Sequence, residues 1–568
     1  MPAAPFYFTP SLPKICIMRL QPTLSLILIL KSLLPLYAQA PAWQWARSGT
    51  GSLDDQVYAA TFIPAPTPRV AIGGEFYSYT LNLGGTSLTG PAGGPFSSYA
   101  FLAVYDTQGN LLWATSAGQS DPNRITALAS DTTGHIIAVG SFTGSTIAFG
   151  NVSLSNVGYA DAFVVKYDPT GTPLWALSIA GSSWEEATSV ATDSSGNIYL
   201  TGSFESPTLT VGPFQLQNAS STGTKDIFLI KLSPQGQVLW AQAFGGPDND
   251  GSQAIAISPT NDIAITGFFN SPSLSIGSTT LSTVGRGDLF IAKFDPNGQP
   301  LWAKSAGGPD YELPYGIAFT PNGHIVAVGT FWSTSLTFDH QTCSLQGSND
   351  LFIAMYNPTG QLLWVRCAGG SDSEEASAVA TDTSGHIYVT GYFASSTITF
   401  GGQTLQTSGD GDIFIVAYDS NGQVRWTQKA SGSLYDKAYA LAIDLQGHLY
   451  VGGAYTSNPL TFGSIPLAHN QAYDAFIAKL GPATGTSIPF SSSAIRLIPL
   501  SEAGKYQIQA AGFPLPLRWH LYTVLGTPVR SGLLQKPEDS LDFSDLPNGV
   551  YGLRIDGPPA PQVWKILR

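Results

Sequence analysis

Apolar and polar residues alternate along most of this chain in short runs, and each run is closed by Gly, Asn, Asp, Ser or Pro. A period of two puts one face of a strand against a core, and the closing residues are those that tight turns require. One stretch shows the pattern. From Leu362, "LLWVRCAGG" reads as a strand and "SDSEEA" as a polar loop; "SAVATD" is a strand of small residues, "TSG" a turn and "HIYVTGYF" another strand. "ASSTITFGGQTLQTSGDGD" carries a small hairpin at its centre, "IFIVAYD" is the last strand, and "SNG" returns the chain to "QVRW". The unit predicts four main strands.

The unit recurs. Trp45, Trp113, Trp175, Trp240, Trp302, Trp364 and Trp426 open similar stretches at spacings of 68, 62, 65, 62, 62 and 62 residues. A four-stranded unit cannot bury both its faces alone, whereas seven of them packed about an axis can. The expected fold is therefore all-β: a seven-bladed β-propeller over residues 41–481, with four-stranded repeats of about 62 residues. Strands of small residues, such as "ALASD" and "AIAIS", suit the crowded axis, and the tryptophan strands suit the rim. The ends of the array support a closed ring. "WQWARSG" has no partner before it, and "DAFIAKLG" (474–481) lacks the tryptophan strand that should follow. Letting the N-terminal strand complete the last blade removes two exposed edges at once.

Composition narrows the function more than the fold. The chain has 568 residues, too many for one compact core, and 43% of them are hydrophobic, which argues against disorder. The formal net charge is −13 and no useful run of Lys or Arg exists, so nucleic-acid binding is disfavoured. The segment "MRLQPTLSLILILKSLLPLYAQA" has a basic start, an apolar run and a small-x-small end, the layout of a signal peptide (1–40) cleaved after Ala40. Met18 is a candidate true start, and no lipobox surrounds Cys16. Cys343 and Cys367 would remain in the mature protein. They read as two incidental cysteines, with a single disulfide as the alternative.

Two resemblances follow from particular phrases. "ATDTSGHIYVTGYF" and "GDIFIVAYDSNGQVRW" resemble the bacterial SBBP-type β-propeller repeat of secreted proteins, over about residues 41–481. The first unit departs most, with "TFIPAPTPR" inserted and no Asp before Phe101. This likeness implies an architecture and leaves activity open. After a linker by composition (482–492, "PATGTSIPFSS"), a β segment of 493–568 resembles the C-terminal sorting domain of the type IX secretion system of Bacteroidota. The matching parts are "GTPV" (526–529), "LPNGVY" (546–551) and Lys565, while "IRLIPLSEAG" stands where a Tyr-Pro-Asn-Pro phrase usually opens the domain. The resemblance implies the type IX machinery as a partner and the outer cell surface or medium as the destination. A small β-sandwich accessory domain is the alternative.

The tenth residue after each tryptophan is acidic in six units: Asp55, Glu185, Asp250, Glu312, Glu374 and Asp436, with Asn123 the exception. A ring of carboxylates at the channel mouth would suit a cation or a hydroxyl-rich ligand, with calcium the one ion it suggests. Alternatively, each carboxylate caps a turn within its own blade. Asp161, Asp226, Asp288, Asp350, Asp412 and Asp474 read as turn residues, as do His135, His324, His386 and His448, one per blade and too dispersed to share a metal. "DNDG" (248–251) is a fragment of a calcium loop. "YDPTGTPLW" (167–175) is similar to the tryptophan docking motif of quinoprotein dehydrogenases, but the longer spacing and the lack of an adjacent cysteine pair argue against a quinone. No nucleophile elbow, zinc spacing or phosphate loop appears in suitable context. The expected function is a monomeric, exported binding or adhesion module presenting one propeller face to glycans or proteins. The alternatives are a polysaccharide lyase or hydrolase, a quinoprotein, or a structural protein of the envelope.

Overall fold

The structure, a computed structural model, describes residues 41–90, 97–118, 122–220, 223–470, 472–481 and the strands of the tail between 496 and 567. The signal peptide expected over 1–40, its cleavage after Ala40, the start at Met18 and the linker expected over 482–492 lie outside the described residues. The chain divides into two compact units, Met1–Ala483 and Thr484–Arg568. No helix is present among the described residues.

The first unit is a seven-bladed β-propeller. In blade 1 the strands Asp55–Ile63, Arg69–Phe76, Tyr99–Asp106 and Leu111–Ala117 pair antiparallel in chain order from axis to rim. Five further blades repeat this order from the innermost strands Asn123–Ser130, Glu185–Thr192, Asp250–Ile257, Glu312–Phe319 and Glu374–Thr381. In blade 7, Asp436–Ile443, Leu449–Tyr455 and Asp474–Gly481 take Ala42–Gly49 as their fourth strand. The innermost strands touch in a closed circuit, with Asp55–Ile63 lying against both Asn123–Ser130 and Asp436–Ile443. The ring thus closes as the orphan strands at the two ends of the array require.

Small residues let the inner strands approach, and tryptophan fills the wider seam outside. Trp113 packs on Gly171 of the next blade's outer turn and donates its Nε1–H to the Pro169 carbonyl at 3.3 Å. Trp45 crosses the closure seam in the same way, onto Gly109 and the Thr107 carbonyl at 3.1 Å. Those turn glycines sit at φ +91° and +81°, a left-handed backbone that also leaves room for the indole. Each blade adds a two-stranded hairpin between its second and third strands, such as Thr397–Phe400 with Gln403–Gln406.

One expectation needs correcting. Cys343 and Cys367 are not incidental: they form a disulfide with a Cα–Cα distance of 6.1 Å. It joins the blade 5 hairpin strand Gln341–Ser344 to the rim strand Leu362–Ala368. The hairpin folds back onto its own blade's outermost strand, a contact that a separation of 24 residues does not reveal.

The second unit has a three-stranded sheet of Arg496–Pro499, Lys505–Gln509 and Glu538–Asp542. A four-stranded sheet orders Pro528–Leu534, Leu517–Thr523, Val550–Asp556 and Gln562–Leu567. Leu541 of the first sheet and Trp519, Leu521 and Leu553 of the second are buried. Residues 526–527 and 547–549 of the two tail phrases lie outside the described residues.

Candidate ligand-binding site in the axial channel

The six acidic residues picked out by the repeat each begin an innermost strand, and none has appreciable solvent exposure. Each faces a serine of its own blade. The Ser78, Ser271 and Ser457 hydroxyls donate to Asp55, Asp250 and Asp436 at 2.8, 2.7 and 2.7 Å. Ser206 donates to Glu185 at 2.5 Å, and Ser333 donates to Glu312. Glu374 accepts the backbone N–H groups of Gly370 at 2.8 Å and Ser395 at 3.1 Å. Asn123, the exception, donates to the Ser98 carbonyl at 3.0 Å. The series therefore ties the loop entering each innermost strand to the hairpin side of the same blade.

A second carboxylate stands behind most of these. Asp161, Asp350, Asp412 and Asp474 begin third strands and accept backbone N–H groups from Val157, Gln346, Ser408 and Asn470. Burial pushes Asp55 and Glu312 up to about 8, Glu185 to about 7 and Asp436 to about 6. The serine bonds pull these values back, and Asp474, Asp288, Asp161 and Asp412 in the preceding blade push them further up.

The other repeated residues are also local. His135, His386 and His448 place Nδ1 beside Asp131, Asp382 and Asp444 of their own turns, at 3.1, 2.7 and 2.8 Å. In "DNDG", the Asp248 N–H donates to the Ser271 hydroxyl at 3.0 Å. Among the described residues no group of three or more His, Cys, Asp or Glu is placed to hold a metal ion.

What reaches the axis is set by a β-bulge. In all seven innermost strands the pairing register slips between the third and fifth residues, as at Ala187/Ser189 and Ala376/Ala378. The bulge lifts the second residue's carbonyl toward a glycine of the adjacent strand. A Cβ on Gly202 would overlap the Glu186 carbonyl oxygen, and one on Gly391 that of Glu375. The extra residue is left out of the ladder and is free to turn toward the axis.

Side chains from all seven blades consequently line one cavity of about 420 Å³. The bulge residues supply Tyr58, Thr126, Thr188, Gln253, Tyr315, Ser377 and Tyr439. The second residues supply Arg124, Glu186, Gly251, Glu375 and Lys437, and Lys225 reaches in from the loop before a third strand. Arg124 pairs with Glu186 at 2.5 Å, and Lys437 with Glu375 at 2.9 Å. The Lys437 ammonium lies 4.7 Å from the Tyr392 ring and 5.0 Å from that of Tyr439. The Tyr58 hydroxyl donates to Glu75 at 2.7 Å, and its ring meets Tyr439 edge-on at 5.5 Å.

Burial raises the phenols of Tyr58 and Tyr315, and the carboxylates of Glu75 and Glu375 raise them further, so both stay protonated donors. Burial works against the Arg124 charge, but Glu186 and Glu75 outweigh it and hold the guanidinium above its ordinary value. Aromatic residues stand on the loops that lead into the innermost strands. Trp184, Tyr311 and Tyr435 immediately precede the buried acids, and Tyr159, 66% exposed, stacks on Trp184 at 5.3 Å.

None of the channel residues stands out in the sequence, because their positions vary from blade to blade: Tyr, Thr, Gln and Ser share the bulge position, and Arg, Glu, Gly, Lys, Gln and Leu share the second. A signal was present in the glycine that interrupts every "VTGYF"-like strand. An interior strand glycine marks a bulge or a close backbone approach. The variable positions opposite it are those that face the axis.

No protein-family profile matches the chain. It is 25% identical over 460 residues to an uncharacterized WD repeat-containing protein of Acanthamoeba polyphaga mimivirus, covering 67% of this chain and 33% of that protein. It is 26% identical over 276 residues to the regulatory protein FlaEY of Caulobacter vibrioides, covering 45% of this chain and 28% of FlaEY. The chain thus spans about a third of the length of these curated relatives. Among solved structures it is similar to a gluconolactonase of Xanthomonas campestris, with a TM-score of 0.28 and 12% identity over 61% of this chain and 90% of that one. It is also similar to PorZ of Porphyromonas gingivalis, described as a surface component of the type-IX secretion system, with a TM-score of 0.16 and 12% identity over 92% and 99%. The extracellular domain of BT4673 from B. thetaiotaomicron gives a TM-score of 0.21 and 10% identity over 93% and 99%.

Proposed function

We propose that this chain is an exported binding module of the SBBP-repeat type that takes a surface glycan or protein at the mouth of its axial channel. One observation carries the reading. The seven blades agree at the strand positions that pack and differ at the two that reach the axis, where Arg124, Glu186, Glu375 and Lys437 are gathered with Tyr58, Tyr315 and Tyr439. A purely structural ring has no need of polar residues that vary from blade to blade at one shared point. The six buried carboxylates serve the site indirectly, by fixing the loops from which the innermost strands begin. In this reading the leader of 1–40 takes the chain across the inner membrane. The tail of 493–568 addresses it to the type IX machinery, and the propeller works as a monomer at the outer surface or beyond.

A second reading is favoured by Glu186 and Glu375, the two carboxylates of the cavity wall: a hydrolase acting on a chain end held between them. The discriminating experiment screens the full chain against immobilised glycans and cell-surface proteins, with and without calcium, and analyses the solution for cleavage products. Binding without products, lost in Gln253→Trp, supports the module. Products that vanish in Glu186→Gln or Glu375→Gln replace it with the enzyme. Binding that survives Gln253→Trp removes the channel from either role.

A further inference from the structure

The charges on the cavity wall narrow the ligand, given that the channel mouth is the binding site. Each of the three cations that line it already has a carboxylate: Arg124 has Glu186, Lys437 has Glu375, and Lys225 lies 3.9 Å from Glu205. An acidic ligand would have to displace one of these partners, and a basic ligand would have to displace a cation. Either exchange loses a formed pair for each one gained, so neither class finds an attractive field.

The paired groups keep hydrogen-bonding capacity to spare. A guanidinium carries five N–H donors, an ammonium three, and a carboxylate has about four acceptor positions. In the wall these donors and acceptors alternate with the hydroxyl groups of Tyr315, Tyr439 and Ser377. Such a surface fits a ligand that is uncharged and offers donors and acceptors at every atom of its periphery. Outside the mouth, the exposed Tyr159 ring on Trp184 presents a flat apolar face. That face suits the C–H surface of a ring bearing equatorial hydroxyls.

A peptide is the poorer fit. Extended peptides commonly bind by adding to an open strand edge, and the innermost edge that each blade turns to the axis is interrupted by its bulge. The apolar surface of the cavity comes from Phe268 beside Gly251 and from the rings of Tyr58, Tyr315 and Tyr439, and it is divided among charged and hydroxyl groups, which suits a helix face poorly. Because all seven blades enclose the space, a chain enters by its end. We infer that the ligand is a neutral oligosaccharide, its terminal residues in the channel between Glu186 and Glu375 and its next residues against Tyr159 and Trp184.

The test uses the full chain and five probes: linear gluco-, manno- and galacto-hexaoses, a hexauronate, and a displayed library of linear peptides. At least one neutral hexaose should bind, with an affinity that changes little between low and high salt, because no net charge is neutralised. Gln253→Trp, which fills the channel from a half-buried bulge position, should weaken that binding at least tenfold with the melting temperature unchanged. Tyr159→Ala should weaken it by about two- to tenfold. Selective binding of the hexauronate or of a peptide, abolished by Gln253→Trp, would overturn the neutral-glycan inference and leave the channel site standing. Binding indifferent to Gln253→Trp would overturn the channel site itself. No binding to any hexaose would overturn the inference.

Discussion

At the scale of single residues, the notable pairing is between a serine hydroxyl and a carboxylate that water does not reach. Ser457→Ala deprives Asp436 of its 2.7 Å donor, and a stability loss of about 1–3 kcal/mol is expected in urea denaturation. The same groups set a pH dependence. Their folded values, about 6 to 8, lie above the ordinary values of 3.8 for Asp and 4.5 for Glu. Above those ordinary values the unfolded chain releases its protons while the folded one holds them. The stability these groups contribute is full below about pH 4 and is lost as pH rises through about 6 to 8. Thermal melts should therefore shift to lower temperature from about pH 5 to about pH 9, and a flat or rising profile would contradict the assigned burial. The acidic positions were legible in the sequence from their count after each tryptophan. Their burial was not, because the serine that closes the bond lies 21 to 23 residues further on, beyond another strand.

At the scale of elements, the hairpins and blade strands could be read from alternation and turn residues, including "FIAKF" and "LWAKS" joined by "DPNG" in blade 4. The bulge could not be read from alternation, because innermost strands such as "EEASAVAT" are built of small residues that give little alternation for an added residue to interrupt. The glycine opposite it is the better reporter. Gly391→Ala places a Cβ on the Glu375 carbonyl, so the strands must separate or the bulge must relax. A loss of about 1–3 kcal/mol is expected in denaturant melts, together with weakened ligand binding, since Glu375 and Ser377 move with the bulge. The disulfide is likewise a property of two elements meeting. Replacing both Cys343 and Cys367 with Ser should lower stability by about 2–4 kcal/mol, measured against the oxidised protein.

At the scale of the whole molecule, closure was the most legible feature, because a strand missing at one end of the repeat array matched a surplus strand at the other. Deleting Ala42–Gly49 would leave Asp474–Gly481 as an open edge and strip the Trp45 contact from blade 1. The shortened chain is expected to aggregate or to unfold without a single cooperative transition in scanning calorimetry. The channel was far less legible, since its residues come from seven distant segments and repeat reasoning favours what is common over what is unique. The most direct measurement of the proposed site is a crystal structure of the full chain with the tightest-binding neutral hexaose. Sugar density between Glu186 and Glu375, continuing toward Tyr159, is the predicted result. Sugar held on the rim hairpins, with the channel residues untouched, would contradict it.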